Sequence, residues 1–186
     1  YHWTVGASQY GREYLEISKA AATKYQNYLT FRSNSHYLKI LIANSKEYGQ
    51  KILDHLLVTQ PDLLSKLHIA RKHDQLGSPV TYDYGKYGRL ATDSLRYLNS
   101  LATIQKQFPD LQKDWKMVEL GGGYGGLCYL LSQLVGFGEY TFLEVPEVLM
   151  LAHRYLKEEK KLENVTLGMA DDLEPKESYD LLVSEY

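Results

Sequence analysis

Cysteine is almost absent: the 186 residues hold one, Cys128. A single thiol excludes an internal disulfide framework and fits a reducing, cytoplasmic setting. No apolar run approaches the ~20 residues that a bilayer crossing needs. Tyr1 to Tyr10 lack the basic-then-apolar layout of a secretion signal. An excess of one charge sign is missing too. Lys plus Arg is 21, Asp plus Glu is 23, and the formal net charge is −2. That balance argues against a dedicated nucleic-acid binder, whose surface is strongly basic. The six histidines show no H-E-x-x-H pattern and no Cys/His cluster, so no metal site is expected. What is abundant is tyrosine, at 17 residues beside four Phe and two Trp. Tyrosine buries a ring and keeps a polar tip, which suits core packing with satisfied hydroxyls and also polar ligands or interfaces.

The first hundred residues read as helical. Tyr10, Tyr14, Ile17, Ala21, Tyr25 and Tyr28 recur at gaps of three and four, which is one face of a helix. A second helix follows Gly49, and a third opens at Pro61, a good first-turn residue with Asp62 beside it. Residues 34–44 read equally as helix or strand. Gln75 to Gly88, with three Gly, one Pro and three Tyr, is predicted to be a long connecting loop. A helix from Asp93 to Gln107 follows, with Thr92 or Asp93 as its cap. The region 1–110 is thus expected to be mostly helical, a substrate cap or a dimerisation surface.

From Lys116 the rhythm becomes alternating strand and helix. Strands are expected over 117–120, 140–145, 165–169 and 179–184, with helices from Leu127 and Pro146 between them. Lys157 to Lys161 reads as a solvated helix end. This pattern implies an α/β fold with a doubly wound parallel sheet over 111–186.

The strongest local signal is Glu119-Leu-Gly121-Gly-Gly123-Tyr-Gly125-Gly126, which follows a strand and opens a helix. Five glycines in six residues carry a heavy ordering entropy, which a ligand would offset. The turn fits two templates. Gly121, Gly123 and Gly126 match the G-x-G-x-x-G of dinucleotide folds. Glu119, Gly121, Gly123 and Gly125 match the E-x-G-x-G-x-G of S-adenosylmethionine-dependent methyltransferases. Glu119 favours the second, because a carboxylate there repels a pyrophosphate. Glu144 ends the second strand, where a doubly wound fold places the carboxylate that accepts ribose hydroxyls.

Together with Asp171-Asp172 and Ser184-Glu185-Tyr186, these residues resemble a Rossmann-like class I methyltransferase. Gly77-Ser-Pro79, Tyr82-Asp-Tyr84-Gly85, Gly88 and Thr92-Asp-Ser-Leu95-Arg96-Tyr97 are similar to a family of sugar O-methyltransferases. That resemblance covers roughly residues 70–186. It implies three further strands beyond the fourth, which this sequence lacks. It implies S-adenosylmethionine as cofactor, held by Glu119, Gly121, Gly122, Gly123, Tyr124, Gly125, Glu144, Val145, Asp171, Asp172 and Ser184. A saccharide or glycoconjugate is the implied acceptor, and a homo-oligomer is a further expectation. Arg96 is the candidate partner for the cofactor carboxylate, with Arg89 behind it, and Tyr84 a candidate lid. Glu185 is the first candidate general base and His73 the second. His73 and Asp74 do not form a dyad, since helix neighbours do not face each other. Two other readings stand beside this one: a nicotinamide-dependent oxidoreductase, and a methyltransferase fold serving as a binding module without turnover.

Overall fold

A computed structural model describes residues 9–40, 44–172 and 178–184. The run of residues that begins at Tyr10 forms two helices where one was expected. Helix α1 (Gln9–Thr23) stops, Lys24 adopts an extended conformation, and α2 (Tyr25–Thr30) starts afresh. The break spends the periodic face: Tyr28 is buried, whereas Tyr25 is 63% exposed. Helices α3 (Ser35–Ile40), α4 (Lys46–Thr59), α5 (Pro61–Ser65) and α6 (Leu67–His73) follow. Ser45 caps α4 by accepting the Tyr48 N–H at 3.2 Å. Pro61 and Asp62 stand in the first turn of α5, as their residue types favour.

The segment 75–88 is not a plain loop. Strand β1 (Thr81–Asp83) pairs antiparallel with β2 (Arg89–Ala91), with a 3₁₀ turn at Gly85–Tyr87 between them. Three-residue strands fall below the length at which alternation becomes visible in a sequence. Helix α7 (Thr92–Gln107) begins directly after the hairpin. Neither expected residue caps it. Thr92 donates to the Ser45 carbonyl, and Asp93 is drawn into a buried ion pair with Arg32.

The second half of the chain builds a parallel sheet from β3 (Lys116–Leu120), β4 (Glu139–Leu143), β5 (Val165–Gly168) and β6 (Leu181–Ser184), in the order β5-β4-β3-β6. Helix α8 (Gly126–Leu134) connects β3 to β4, and α9 (Pro146–Ala152) leads from β4 toward β5. Side chains alternate across the sheet. Met117, Glu119, Tyr140, Phe142, Val165, Leu181 and Val183 lie on one face and are buried. Lys116, Glu139, Thr166, Leu182 and Ser184 lie on the other and are exposed.

One hydrophobic core runs from Ala21, Tyr28 and Phe31 through α4 and α7 to the sheet. Past α9 the chain continues as a π-helical turn over His153–Glu159, closed by the Lys160 N–H on the Tyr155 carbonyl at 2.9 Å. Here three consecutive side chains serve three elements. The Arg154 guanidinium donates to the Ala21 and Ala22 carbonyls at the end of α1. Tyr155 reaches His73, and Leu156 packs under Gly125. The charged run that ends this turn is only partly solvated. Glu159 accepts the Tyr28 hydroxyl at 2.6 Å, and Lys157 donates to the Leu162 and Glu163 carbonyls. Among the described residues, no helix is long and apolar enough to cross a membrane.

Candidate functional site

The carboxyl ends of β3, β4 and β5 are laced together by backbone bonds. The Gly121 N–H donates to the Leu143 carbonyl at 3.0 Å, and the Glu144 N–H to the Gly168 carbonyl at 3.1 Å. The glycine turn rises from this edge, and its glycines fall into two sets. Gly122, Gly125 and Gly126 are required by packing. A Cβ on Gly122 would stand 2.4 Å from the Phe142 ring, one on Gly125 2.6 Å from Leu156, and one on Gly126 2.3 Å from Tyr97. Gly121 and Gly123 differ. Both have positive φ, at 74° and 61°, as Gly125 does at 95°, which favours glycine; what sets them apart is the space around them. A Cβ on Gly121 would meet nothing within 4 Å, and one on Gly123 would meet the Tyr14 hydroxyl at 3.4 Å. The turn is thus closed on its core side and open above Gly121.

Glu144 stands beside this opening. Its Oε1 accepts the Gly123 N–H at 3.1 Å and its Oε2 the Val145 N–H at 2.8 Å. Partial burial raises its pKa above the usual carboxylate range, while the two N–H donors pull it back down. Tyr14, on α1, faces the same carboxylate. Burial raises the phenol pKa, and the Glu144 charge raises it further, so the hydroxyl stays protonated and able to donate. Ser18, one turn along α1, is buried, and its hydroxyl lies near the Tyr14 phenol without a well-formed hydrogen bond. Open space, a carboxylate and two hydroxyls fit a nucleoside carrying an uncharged or positively charged tail.

The remaining candidates fall in several places. Asp171 and Asp172 lie in an exposed 3₁₀ turn after β5, where Asp172 accepts the Met169 N–H at 2.6 Å. Ser184 ends β6, and its hydroxyl donates to the Leu120 carbonyl at 3.3 Å. Both therefore edge the carboxyl end of the sheet with Glu144. Glu185 lies outside the described residues. Arg96 is half-buried on α7, and among the described residues no hydrogen bond or ion pair joins its guanidinium to the turn. Arg89 is spent on Thr81 within the hairpin, at 2.7 Å to the carbonyl.

Four expected ligand groups point elsewhere. Glu119 is 1% exposed and lies beneath the turn, accepting the Tyr140 hydroxyl at 2.8 Å. Its place on the covered face of β3 sets it under Gly122, so it does not confront a ligand above the turn. Tyr124 turns its side chain into the core, leaving only its backbone at the turn. Tyr84 is no lid: it is buried against Gly49, with its hydroxyl 3.3 Å from Thr92. His73 is fully buried. Its Nδ1 lies 2.6 Å from the Tyr155 hydroxyl and its Nε2 2.8 Å from the Tyr124 hydroxyl. A neutral imidazole has one donor and one acceptor, and the two phenols take both. Burial, and then the Arg32 charge, holds its pKa well below the ordinary value. No ring nitrogen is left for an incoming hydroxyl.

Beneath His73 sits a group that the sequence did not reveal. Arg32, fully buried, grips Asp93 with two bonds of 3.2 and 2.8 Å, and reaches Asp74 at 3.1 Å. It also donates to the carbonyls of His73 and Leu76. Ser94 donates to Asp74, and the Ala91 N–H donates to the same carboxylate. Burial opposes the guanidinium charge, but Asp93 and Asp74 more than offset it. Only the three-dimensional closure of residues far apart in the chain brings this cluster together.

No family model matches the chain, and no curated protein matches it. Among solved structures, a "putative sarcosine dimethylglycine methyltransferase" from Galdieria sulphuraria is similar at 26% identity with a TM-score of 0.43. The match covers 49% of this chain and 36% of that one. This chain therefore aligns with about a third of that protein's length, and the functional reading stands on the site's own residues.

Proposed function

We propose that the chain is part of an S-adenosylmethionine-dependent methyltransferase whose acceptor is a hydroxyl of a sugar or glycoconjugate, built on a Rossmann-like doubly wound sheet. The observation that carries the cofactor assignment is the state of the glycine turn. Its N–H groups at Gly121, Gly123 and Gly125 are already donated, to Leu143, Glu144 and Gly122. A diphosphate draws on free N–H donors at such a turn, so a nicotinamide dinucleotide is the poorer fit. Glu119 does not bear on this choice, because it lies beneath the turn, away from the ligand side. When bound, the cofactor supplies an electrophilic methyl group on a sulfonium centre.

The chain's own residues bind and orient. Glu144 would hold the ribose hydroxyls, with each bond to the charged carboxylate contributing about 1.5–3 kcal/mol. Asp171 or Asp172 would meet the adenine amino group. Gly121 leaves room for the amino-acid tail. Glu185, which follows Ser184 in the sequence, would take the proton from the acceptor hydroxyl. Alignment of acceptor and methyl group supplies most of the rate, up to about 7–11 kcal/mol of barrier. The sugar acceptor is supported by the Gly77–Tyr97 motifs alone.

Calorimetry tests the cofactor assignment. S-adenosylmethionine and S-adenosylhomocysteine should bind and NAD should not. Glu144→Gln should weaken both by about tenfold or more in a protein that remains folded, at the local cost of one of the two backbone bonds that the carboxylate accepts. Binding of NAD alone would overturn the reading.

A further inference from the structure

The face of helix α1 that carries Tyr14 ends at the candidate cofactor site. Three observations converge on Tyr14. Its hydroxyl lies 3.4 Å from where a Cβ on Gly123 would stand. The Gly123 N–H is bonded to the Glu144 carboxylate, so the phenol and the carboxylate flank the same peptide unit. The Ser18 hydroxyl, on the same helical face, is buried beside it without a well-formed bond. The element is held firmly in place. Arg154 donates to the last carbonyls of α1, and α1 packs along α9, which begins two residues after Glu144.

We infer that α1 forms a wall of the cofactor site and that the Tyr14 hydroxyl is a ligand-binding group, donating to a ribose oxygen of the bound nucleoside while Glu144 accepts from the ribose hydroxyls. The chemistry matches a vicinal diol, whose oxygens each need an acceptor for the proton and can receive a donor in return. The phenol is a fixed donor here, because burial, and then the adjacent carboxylate, disfavours its ionisation. Its ring is supported by Tyr37 at 6.0 Å between centroids, so the hydroxyl arrives with little side-chain freedom left to lose. This inference rests on the nucleoside reading of the site.

Tyr14→Phe separates the hydroxyl from the ring packing. Two probes separate the ribose from the amino-acid tail: S-adenosylhomocysteine and 5′-methylthioadenosine, which share the nucleoside and differ in the tail. Calorimetry on Tyr14→Phe should show both weakened by a similar factor, about tenfold, with an unchanged melting temperature. Tyr37→Phe, which removes a neighbouring buried phenol, should leave both affinities as they are. Equal affinity of Tyr14→Phe and the parent for both probes would overturn the inference. So would loss of S-adenosylhomocysteine alone, which would put the phenol on the tail, or an equal loss in Tyr37→Phe, which would mark a packing effect. Failure of the parent protein to bind either probe would instead bring down the nucleoside reading itself, and this inference with it.

Discussion

Two polar clusters lie on opposite sides of the glycine turn, and they are built on opposite rules. Below it, Arg32, Asp74, Asp93, Ser94, His73, Tyr124 and Tyr155 are buried or nearly so, and their polar atoms are matched to one another or to backbone. Above it, Glu144 uses backbone N–H groups alone, Ser18 is unmatched, and open space lies over Gly121. A cluster that satisfies itself specifies the fold. One that stops short leaves valences for something else. His73, expected as a candidate general base, belongs to the satisfied cluster, whereas Tyr14, expected only as part of a helical face, stands beside Gly123 and Glu144.

The comparison breaks most visibly at Arg32. Arg32→Met leaves two buried carboxylates without their cation, and removing one partner of such a pair costs about 3–5 kcal/mol. Urea denaturation should show that loss, and a change below 1 kcal/mol would place the lower cluster among dispensable surface pairs. A smaller effect separates the glycines. Gly125→Ala drives a methyl into buried Leu156, overpacking that costs about 1–3 kcal/mol, on top of the strain of its own left-handed backbone at φ 95°. Gly121→Ala meets only the left-handed backbone strain, about 1–2 kcal/mol. Gly125→Ala should therefore be the less stable protein, and Gly121→Ala the one whose defect shows in S-adenosylhomocysteine affinity.

The smallest effect is a pH slope. His73 has a folded-state pKa below its unfolded value, so below about pH 6.5 the unfolded chain binds the extra proton. Stability falls as pH drops through that window, by at most about 1.4 kcal/mol per pH unit from this one group. His73→Gln should be less stable at neutral pH and flatter between about pH 6.5 and 5.5. Denaturation curves at several pH values on both proteins check it. A parallel pair of curves would show that His73 takes up its proton equally in the folded and unfolded chain.

Much of this architecture was legible in the sequence. The four strands, the turn between β3 and α8, and the place of Glu144 at the end of β4 follow from periodicity and glycine placement, which act over a few residues. The lower cluster was not. Arg32 reaches Asp74 and Asp93 across 42 and 61 residues of chain, and nothing near any of the three announces the others. The hairpin escaped because its strands are three residues long. The break at Lys24 escaped because an apolar period can continue in letters after the backbone has turned. Tyr14 escaped for a simpler reason: a heptad-like tyrosine stripe carries no mark of where each hydroxyl ends.

The π-helical turn after α9 bears on how this chain could change over time. Arg154, Tyr155 and Leu156 each serve a different neighbour because the backbone there closes i→i−5 hydrogen bonds and fits more residues into each turn than an α-helix does. Any of the three letters can be exchanged at a local cost. The spacing cannot. Deleting one residue between His153 and Glu159 would return the stretch to ordinary winding and change the spacing at which Arg154, Tyr155 and Leu156 meet the end of α1, His73 and the floor of the glycine turn. Descendants of this sequence should therefore tolerate replacement in this stretch and reject insertion or deletion, so that its length is inherited more strictly than its composition.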